Sequence, residues 1–376
     1  MKKILCIALA LMMCLPFACA EEEHFGFAVL REVYDGEKNQ VVSPLSLAYA
    51  LAMAAQGAEG ETRQEILDLL GVEYLSELAA LRDTLAEAGL KQANAAFLGN
   101  GMQPKEQYVS DLQDMFGAEW FESDGDIVEK INAWVSEHTD GMIEKMLETL
   151  PEETMLTLVN AIAMDAKWMA EFDPASTSDD TFYAPVGEVT VPFMHKTFLA
   201  DYGERENVQL LRLQYRNDEY EPSGLTMLIA LPEVGGVDDV LDALSAEGLD
   251  YFRFNEEQSR IELSMPKVDI AAENGLNDAL KALGVEKAFT EEADFSGITG
   301  EMELRIGSVL QKARLIMDEE GTKAAAATAV MLEAMAMRPP EEIVEFNMNR
   351  PFVLAVAHEE SGTVCFAGVV ANPTAN

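Results

Sequence analysis

Cysteine is nearly absent from this chain. Of its 4 cysteines, Cys6, Cys14 and Cys19 fall in the first twenty residues and only Cys365 lies beyond them. A body with one thiol has no internal disulfide and must be held by packing alone. Cys365 sits in the apolar run Thr363-Val364-Cys365-Phe366-Ala367, the setting of a buried structural cysteine rather than a nucleophile. Histidine is sparse too, with His24, His138, His195 and His358 only, and neither an H-E-x-x-H nor a paired-cysteine spacing is present. No metal and no cofactor is expected. A G-x-S-x-G elbow and a phosphate-binding loop are both missing, so the hydrolase reading lacks its usual signatures and an enzyme is not expected. Basic residues number 26 against 67 acidic ones, for a net charge of −41. Such a chain would be repelled by nucleic acid, by heparin-like polyanions and by an anionic membrane, and none of these is expected as a partner.

What is present is apolar and well patterned. Hydrophobic residues make up 49% of the 376, enough for a large core. Residues 1–20, MKKILCIALALMMCLPFACA, read as a secretory signal peptide with an Ala18-Cys19-Ala20 cleavage site, so the protein is expected outside the cell. Lipoprotein anchoring through Cys19 is the weaker alternative, because Pro16-Phe17-Ala18 fits a lipobox poorly.

From residue 22 to about 90 the pattern is helical, interrupted by a short strand at Val41-Val42. Ser43-Pro44 predicts a capped helix start, and Thr62 with Glu65 has capping-box spacing. Residues 127–150 predict an amphipathic helical region. Residues 157–169 predict a long apolar strand that carries Asn160, a polar group in need of partners. Strands are expected within 181–232, at 260–270 with an irregularity at Pro266, and at 309–317, 344–346, 352–357 and 364–370. Helices are expected at 237–249 and 276–283. Helices lead and strands follow without regular alternation, which argues for an α+β fold in one domain, 21–376.

Residues 318–340, DEEGTKAAAATAVMLEAMAMRPP, resist assignment. Propensity says helix, ended by Pro339-Pro340. Parity says strand. Thr322, Ala324, Ala326, Thr328, Val330 and Leu332 form one small or apolar face, while Lys323 and Glu333 lie on the other. Helix, loop and strand all stay open on these grounds.

Ordered blocks along the chain resemble the serpins. They are residues 39–65, 93–101, 158–172 (LVNAIAMDAKWMAEF), 225–232, 265–289 and 293–297, then Arg350-Pro351-Phe352 and 368–373 (GVVANP). The resemblance implies three largely antiparallel β-sheets surrounded by about eight to nine helices, with an exposed reactive-centre loop at about 319–340. It implies a secreted, monomeric suicide inhibitor of serine proteases of elastase, chymotrypsin or subtilisin type. Such an inhibitor forms a covalent complex and inserts its cleaved loop into the central sheet. A non-inhibitory serpin, acting as a binding protein or plain substrate, is the alternative.

By the same resemblance Glu319, Glu320, Gly321 and Thr322 look like the hinge, and Ala324, Ala325, Ala326, Ala327 and Thr328 like the small-residue arm. Met335-Ala336 looks like the reactive bond, with Met337 and Arg338 as the alternative. Lys267 with Glu319, beside Trp168, resembles the family's bridge at the top of the central sheet. Ser43, Ser46 and Asn160 resemble the polar cluster at its middle, where Gln311 replaces the usual histidine.

Overall fold

The computed structural model describes residues 24–73, 75–98, 103–122, 126–150, 154, 156–164, 166–254, 258–300, 303–322 and 343–375. The signal peptide lies outside these residues, as do the arm Ala324–Thr328 and the bond residues Met335, Ala336, Met337 and Arg338.

The helical first third holds α1 (Phe25–Val33), β1 (Gln40–Val42), α2 (Pro44–Gln56), α3 (Gly60–Leu70), α4 (Leu75–Glu87), β2 (Leu90–Leu98), α5 (Glu106–Phe116), β3 (Glu119–Glu122) and α6 (Ile127–His138). Ser43 caps α2 as its sequence predicts, accepting from Ser46 N with Pro44 in the first turn. Ten of the 13 residues of α2 are buried, so it is the central post of the core. Thr62 and Glu65 depart from the expected capping box. α3 begins two residues earlier, at Gly60, and both side chains reach instead to 286–294. The Thr62 hydroxyl accepts from Asp294 N at 3.0 Å, and the Glu65 carboxylate from Glu286 N and Lys287 N.

The rest is mostly strand: β4 (Leu156–Met164), β5 (Ala166–Trp168), β6 (Ser178–Ala184), β7 (Gly187–Arg205), β8 (Val208–Arg216) and β9 (Pro222–Pro232). After α7 (Val237–Glu247) come β10 (Gln258–Pro266), β11 (Val268–Gly275), α8 (Asn277–Ala282), β12 (Leu310–Met317) and β13 (Gly321–Thr322). The chain closes with β14 (Ile343–Asn347), β15 (Phe352–His358) and β16 (Thr363–Val370). The irregularity at Pro266 is a change of sheet. β10 pairs with β7 up to Pro266, and after Lys267 the chain enters β11 beside β12. An imino residue cannot donate to a ladder, so it suits the last position of a strand.

Among the described residues one 11-stranded sheet follows the path β1-β16-β15-β9-β8-β7-β10-β14, with β5, β6 and β13 attached. Two smaller ladders, β3-β2-β4 and β11-β12, lie on either side of a seam between β4 and β12. The seam is where the candidate site lies. On its inner side the main core takes Ile162, Met164, Ala166 and Trp168 from one flank and Ala313, Leu315 and Met317 from the other. On its outer side a second cluster, Ile131, Trp134 and Val135 of α6 with Leu147, covers Val159 and Ala161 of β4. α6 stops at His138, short of the expected 150. Asp140 and Gly141 take positive φ, and Asn132 ties down the irregular 139–150 segment by bonding Met146 N, Leu147 N and Leu147 O.

Candidate functional site

The site begins with a turn. Asp318 N donates to Gly321 O at 3.0 Å, and the Asp318 carboxylate accepts from Glu320 N at 3.1 Å and Gly321 N at 3.3 Å. Aspartate at the first and glycine at the fourth position is a β-turn signature, with the side chain standing in for a strand partner. The turn reverses the chain at the end of β12 and starts β13 back along the seam. β13 pairs antiparallel with β5, Gly321 opposite Lys167 and Thr322 opposite Ala166. Residues 321–322 therefore form two rungs of a strand at the top of the seam.

Gly321 is required by that approach. It takes φ 153°, and a Cβ there would meet Ala166 O at 2.2 Å and Lys167 Cα at 2.6 Å. Trp168 closes the corner, its amide donating to Glu320 O and its indole to Asp318 O, both at 2.9 Å. Its ring stacks on Tyr215 with centroids 4.6 Å apart. Phe172 N donates to Glu319 O at 2.8 Å.

Lys267 and Glu319 come together, with Lys267 Nζ 2.6 Å from Glu319 Oε2. The other carboxylate oxygen accepts from Thr177 Oγ1 at 2.8 Å. Burial alone would raise the carboxyl pKa, but the Lys267 ammonium and the Thr177 hydroxyl outweigh it and hold Glu319 below its ordinary range. Beside the same corner Arg216, nearly buried, pairs with Glu171.

Ser43, Ser46, Asn160 and Gln311 gather halfway down the seam. Gln311 Oε1 accepts from Ser43 N at 3.0 Å, and its Nε2 donates to Ser43 O at 2.8 Å. The Ser43 hydroxyl donates to Cys365 O at 2.8 Å, while that of Ser46 reaches Asn160 O at 3.4 Å. Asn160 Nδ2 donates to Asn94 Oδ1 at 2.7 Å, and Asn94 in turn donates to Phe116 O. The buried Asn160 Oδ1 has no hydrogen-bond partner. Ser43, Ser46 and Asn160 share with Ile162, Ala313 and the covering Val135, Ile143 and Met146 a space of only about 10 Å³, roughly one water.

Sequence reasoning missed Asn94, Asn274, Thr177 and the bonding role of Asp318. Asn274, opposite Gln311 on β11, donates to Val41 O at 2.9 Å. An asparagine inside an apolar strand run was the available signal for Asn94, and D-x-x-G for Asp318.

The chain belongs to the serpin family: the model described as "Serpin (serine protease inhibitor)" matches residues 20–373. An uncharacterised serpin-like protein of Thermococcus kodakarensis is 32% identical over 366 residues, covering 93% of this chain and 84% of the relative. Human alpha-1-antichymotrypsin is 33% identical over 359 residues, 90% of this chain and 83% of its own. A solved thyroxine-binding globulin in complex with thyroxine superposes with a TM-score of 0.81 at 26% identity, covering 94% of this chain and 98% of the globulin. Serpins are typically protease inhibitors, and the structural neighbours include a thyroxine-binding globulin.

Proposed function

We propose that this protein is an exported, monomeric suicide inhibitor of serine proteases, folded as one domain over 21–376 after loss of residues 1–20. A target of elastase, chymotrypsin or subtilisin type attacks the loop at Met335-Ala336, or at the alternative bond after Met337. The protease serine oxygen bonds to the carbonyl carbon of Met335, and the peptide C–N bond breaks. The Ala336 amine leaves with the proton that the serine gave up, and an ester joins protease to inhibitor. The freed arm then enters the seam between β4 and β12.

The single observation that carries this reading is β13, whose rungs Gly321–Lys167 and Thr322–Ala166 begin a strand in the right place and direction. Parity supplies the second support. Thr322, Ala324, Ala326 and Thr328 form the face that would turn inward, and none is bulky or charged. Each inserted residue gains ladder bonds of about 1 kcal/mol net besides burial. Some 15 residues at 3.3 Å each span roughly 50 Å, far enough to carry an acylated protease away from its docking position. Hinge residues Glu319, Glu320 and Gly321 act as pivot, Lys267 and Trp168 hold the top of the seam, and Ser43, Ser46, Asn160 and Gln311 hold its middle.

The test is incubation of the mature protein with chymotrypsin-, elastase-, trypsin- and subtilisin-type proteases. An SDS-stable complex and a released peptide beginning at Ala336 are expected. Clean cleavage without a complex in every case contradicts inhibition and favours a carrier of the thyroxine-binding kind. Thr322→Arg is expected to convert the inhibitor into a plain substrate, and inhibition retained in that variant contradicts insertion.

A further inference from the structure

α6 packs on the outer face of β2 and β4, and polar side chains tie it to β3 at two points. At one, Lys130 Nζ donates to Glu122 O at 3.4 Å. At the other, Trp134 and His138 lie one helical turn apart and meet the same carboxylate oxygen of Glu119. The indole Nε1 donates to Glu119 Oε1 at 3.0 Å, and His138 Nε2 stands 3.4 Å from it. The two rings lie against each other, tilted by 30°, with centroids 4.3 Å apart. Of the four histidines, His138 alone brings a ring nitrogen within ion-pair distance of a carboxylate, among the described residues.

The other ring nitrogen decides where the proton sits. His138 Nδ1 is 2.8 Å from Trp134 O, and a carbonyl oxygen only accepts, so Nδ1 carries a hydrogen. A neutral imidazole has a single N–H. Nε2 then presents a bare lone pair to a carboxylate oxygen, acceptor against acceptor. A proton added at Nε2 turns the same contact into a charge-assisted hydrogen bond. The surrounding charges leave this role to Glu119. Asp140, two residues further on, pairs with Lys91 of β2, and Glu137 makes no ion pair with the ring. From β12, Arg314 Nη1 reaches Met142 O at 3.2 Å and keeps its charge throughout. We propose that His138 and Glu119 form a proton-operated clasp that holds α6 on β3, closed when the imidazole is charged and loosened when it is neutral. The partner is gained by the protonated form, so the hold is present in mild acid and lost as pH rises. His138 keeps 30% of its side chain in water and Glu119 51%, which limits the effect to that of an exposed ion pair. That is about two- to fivefold in the opening equilibrium of α6. The clasp does not depend on the inhibitor reading.

The experiment has two readouts on the mature protein. NMR of isotope-labelled histidine at about pH 8 reads the neutral tautomer of His138. Hydrogen on Nδ1 is expected, and hydrogen on Nε2 overturns the clasp. Hydrogen exchange with mass spectrometry then follows the α6 peptides at about pH 8 and pH 5.5, each corrected for the intrinsic exchange rate at that pH. In wild type the opening equilibrium of α6 is expected to fall about two- to fivefold on acidification. Glu119→Gln keeps an acceptor for the Trp134 indole and removes the charge, and His138→Phe keeps a ring against Trp134 and removes the nitrogens. In both variants the ratio between the two pH values is expected to approach one. A wild-type ratio of one overturns the proposal, and so does a wild-type shift that persists in Glu119→Gln. The Glu119 side chain is half exposed on β3, so Glu119→Gln carries the comparison if His138→Phe fails to fold. The tautomer measurement needs no variant of the clasp at all once the other three histidines are assigned.

Discussion

At Glu319 burial and pairing pull in opposite directions. Only 12% of its side chain is exposed, yet it stays ionised because Lys267 lies at 2.6 Å and Thr177 completes the second oxygen. A carboxyl whose folded pKa lies below its ordinary 4.5 contributes stability that is present above that value and lost as pH falls through the folded pKa. Glu319→Gln is therefore expected to cost about 1–2 kcal/mol at neutral pH, kept small because Lys267 retains a third of its side chain in water. The difference between the two proteins should shrink as pH drops below 4.5. Thermal midpoints measured from pH 7 to pH 3 check this, and a difference that grows on acidification contradicts the pairing. Gln311 belongs to the same scale. Its amide holds Ser43 through two neutral hydrogen bonds, so this junction carries no charge change between pH 5 and 8.

The elements were legible in proportion to how local their causes are. The cap at Ser43, the buried α2 and the strands around 208–232 follow from short-range pattern, and the structure has them where periodicity put them. α5 is hard to read from sequence although Tyr108, Leu112 and Phe116 recur every four residues and are buried, because polar residues separate them and no side chain caps its start. The overextended α6 failed for the opposite reason. Ile143, Met146 and Leu147 are apolar because they pack against the strands, while Asn132 replaces the helical hydrogen bonds with side-chain ones. The seam was legible only through family resemblance, since the pairing of 321–322 with 166–167 joins residues some 155 apart in sequence. That pairing yields an element-scale prediction. In Gly321→Ala the new Cβ would meet Ala166 O, so β13 should leave β5. Amide exchange at Trp168 and Phe172, which donate to Glu320 O and Glu319 O, is expected to quicken at least tenfold, as hydrogen exchange with mass spectrometry would show. Unchanged protection there contradicts the close approach.

At the scale of the whole molecule two properties combine. The net charge of −41 surrounds the body with a negative field, which speeds encounter with a basic protease and slows it with an acidic one. Association with a basic target should accordingly slow by several-fold between about 0.02 M and 0.3 M salt, as screening shortens from roughly 20 Å to under 10 Å. A salt-independent rate constant, measured by loss of protease activity, contradicts steering. The second property is the pair of ladders β3-β2-β4 and β11-β12, separate among the described residues, with the α6 region packed on β4. On the proposed insertion mechanism, such a fold holds stability in reserve. The direct test is calorimetry of the intact protein and of the same protein cut once within 329–340. Eight or more new rungs at about 1 kcal/mol each should raise the melting temperature by roughly 10 °C or more. A cut protein that melts at or below the intact one contradicts the account.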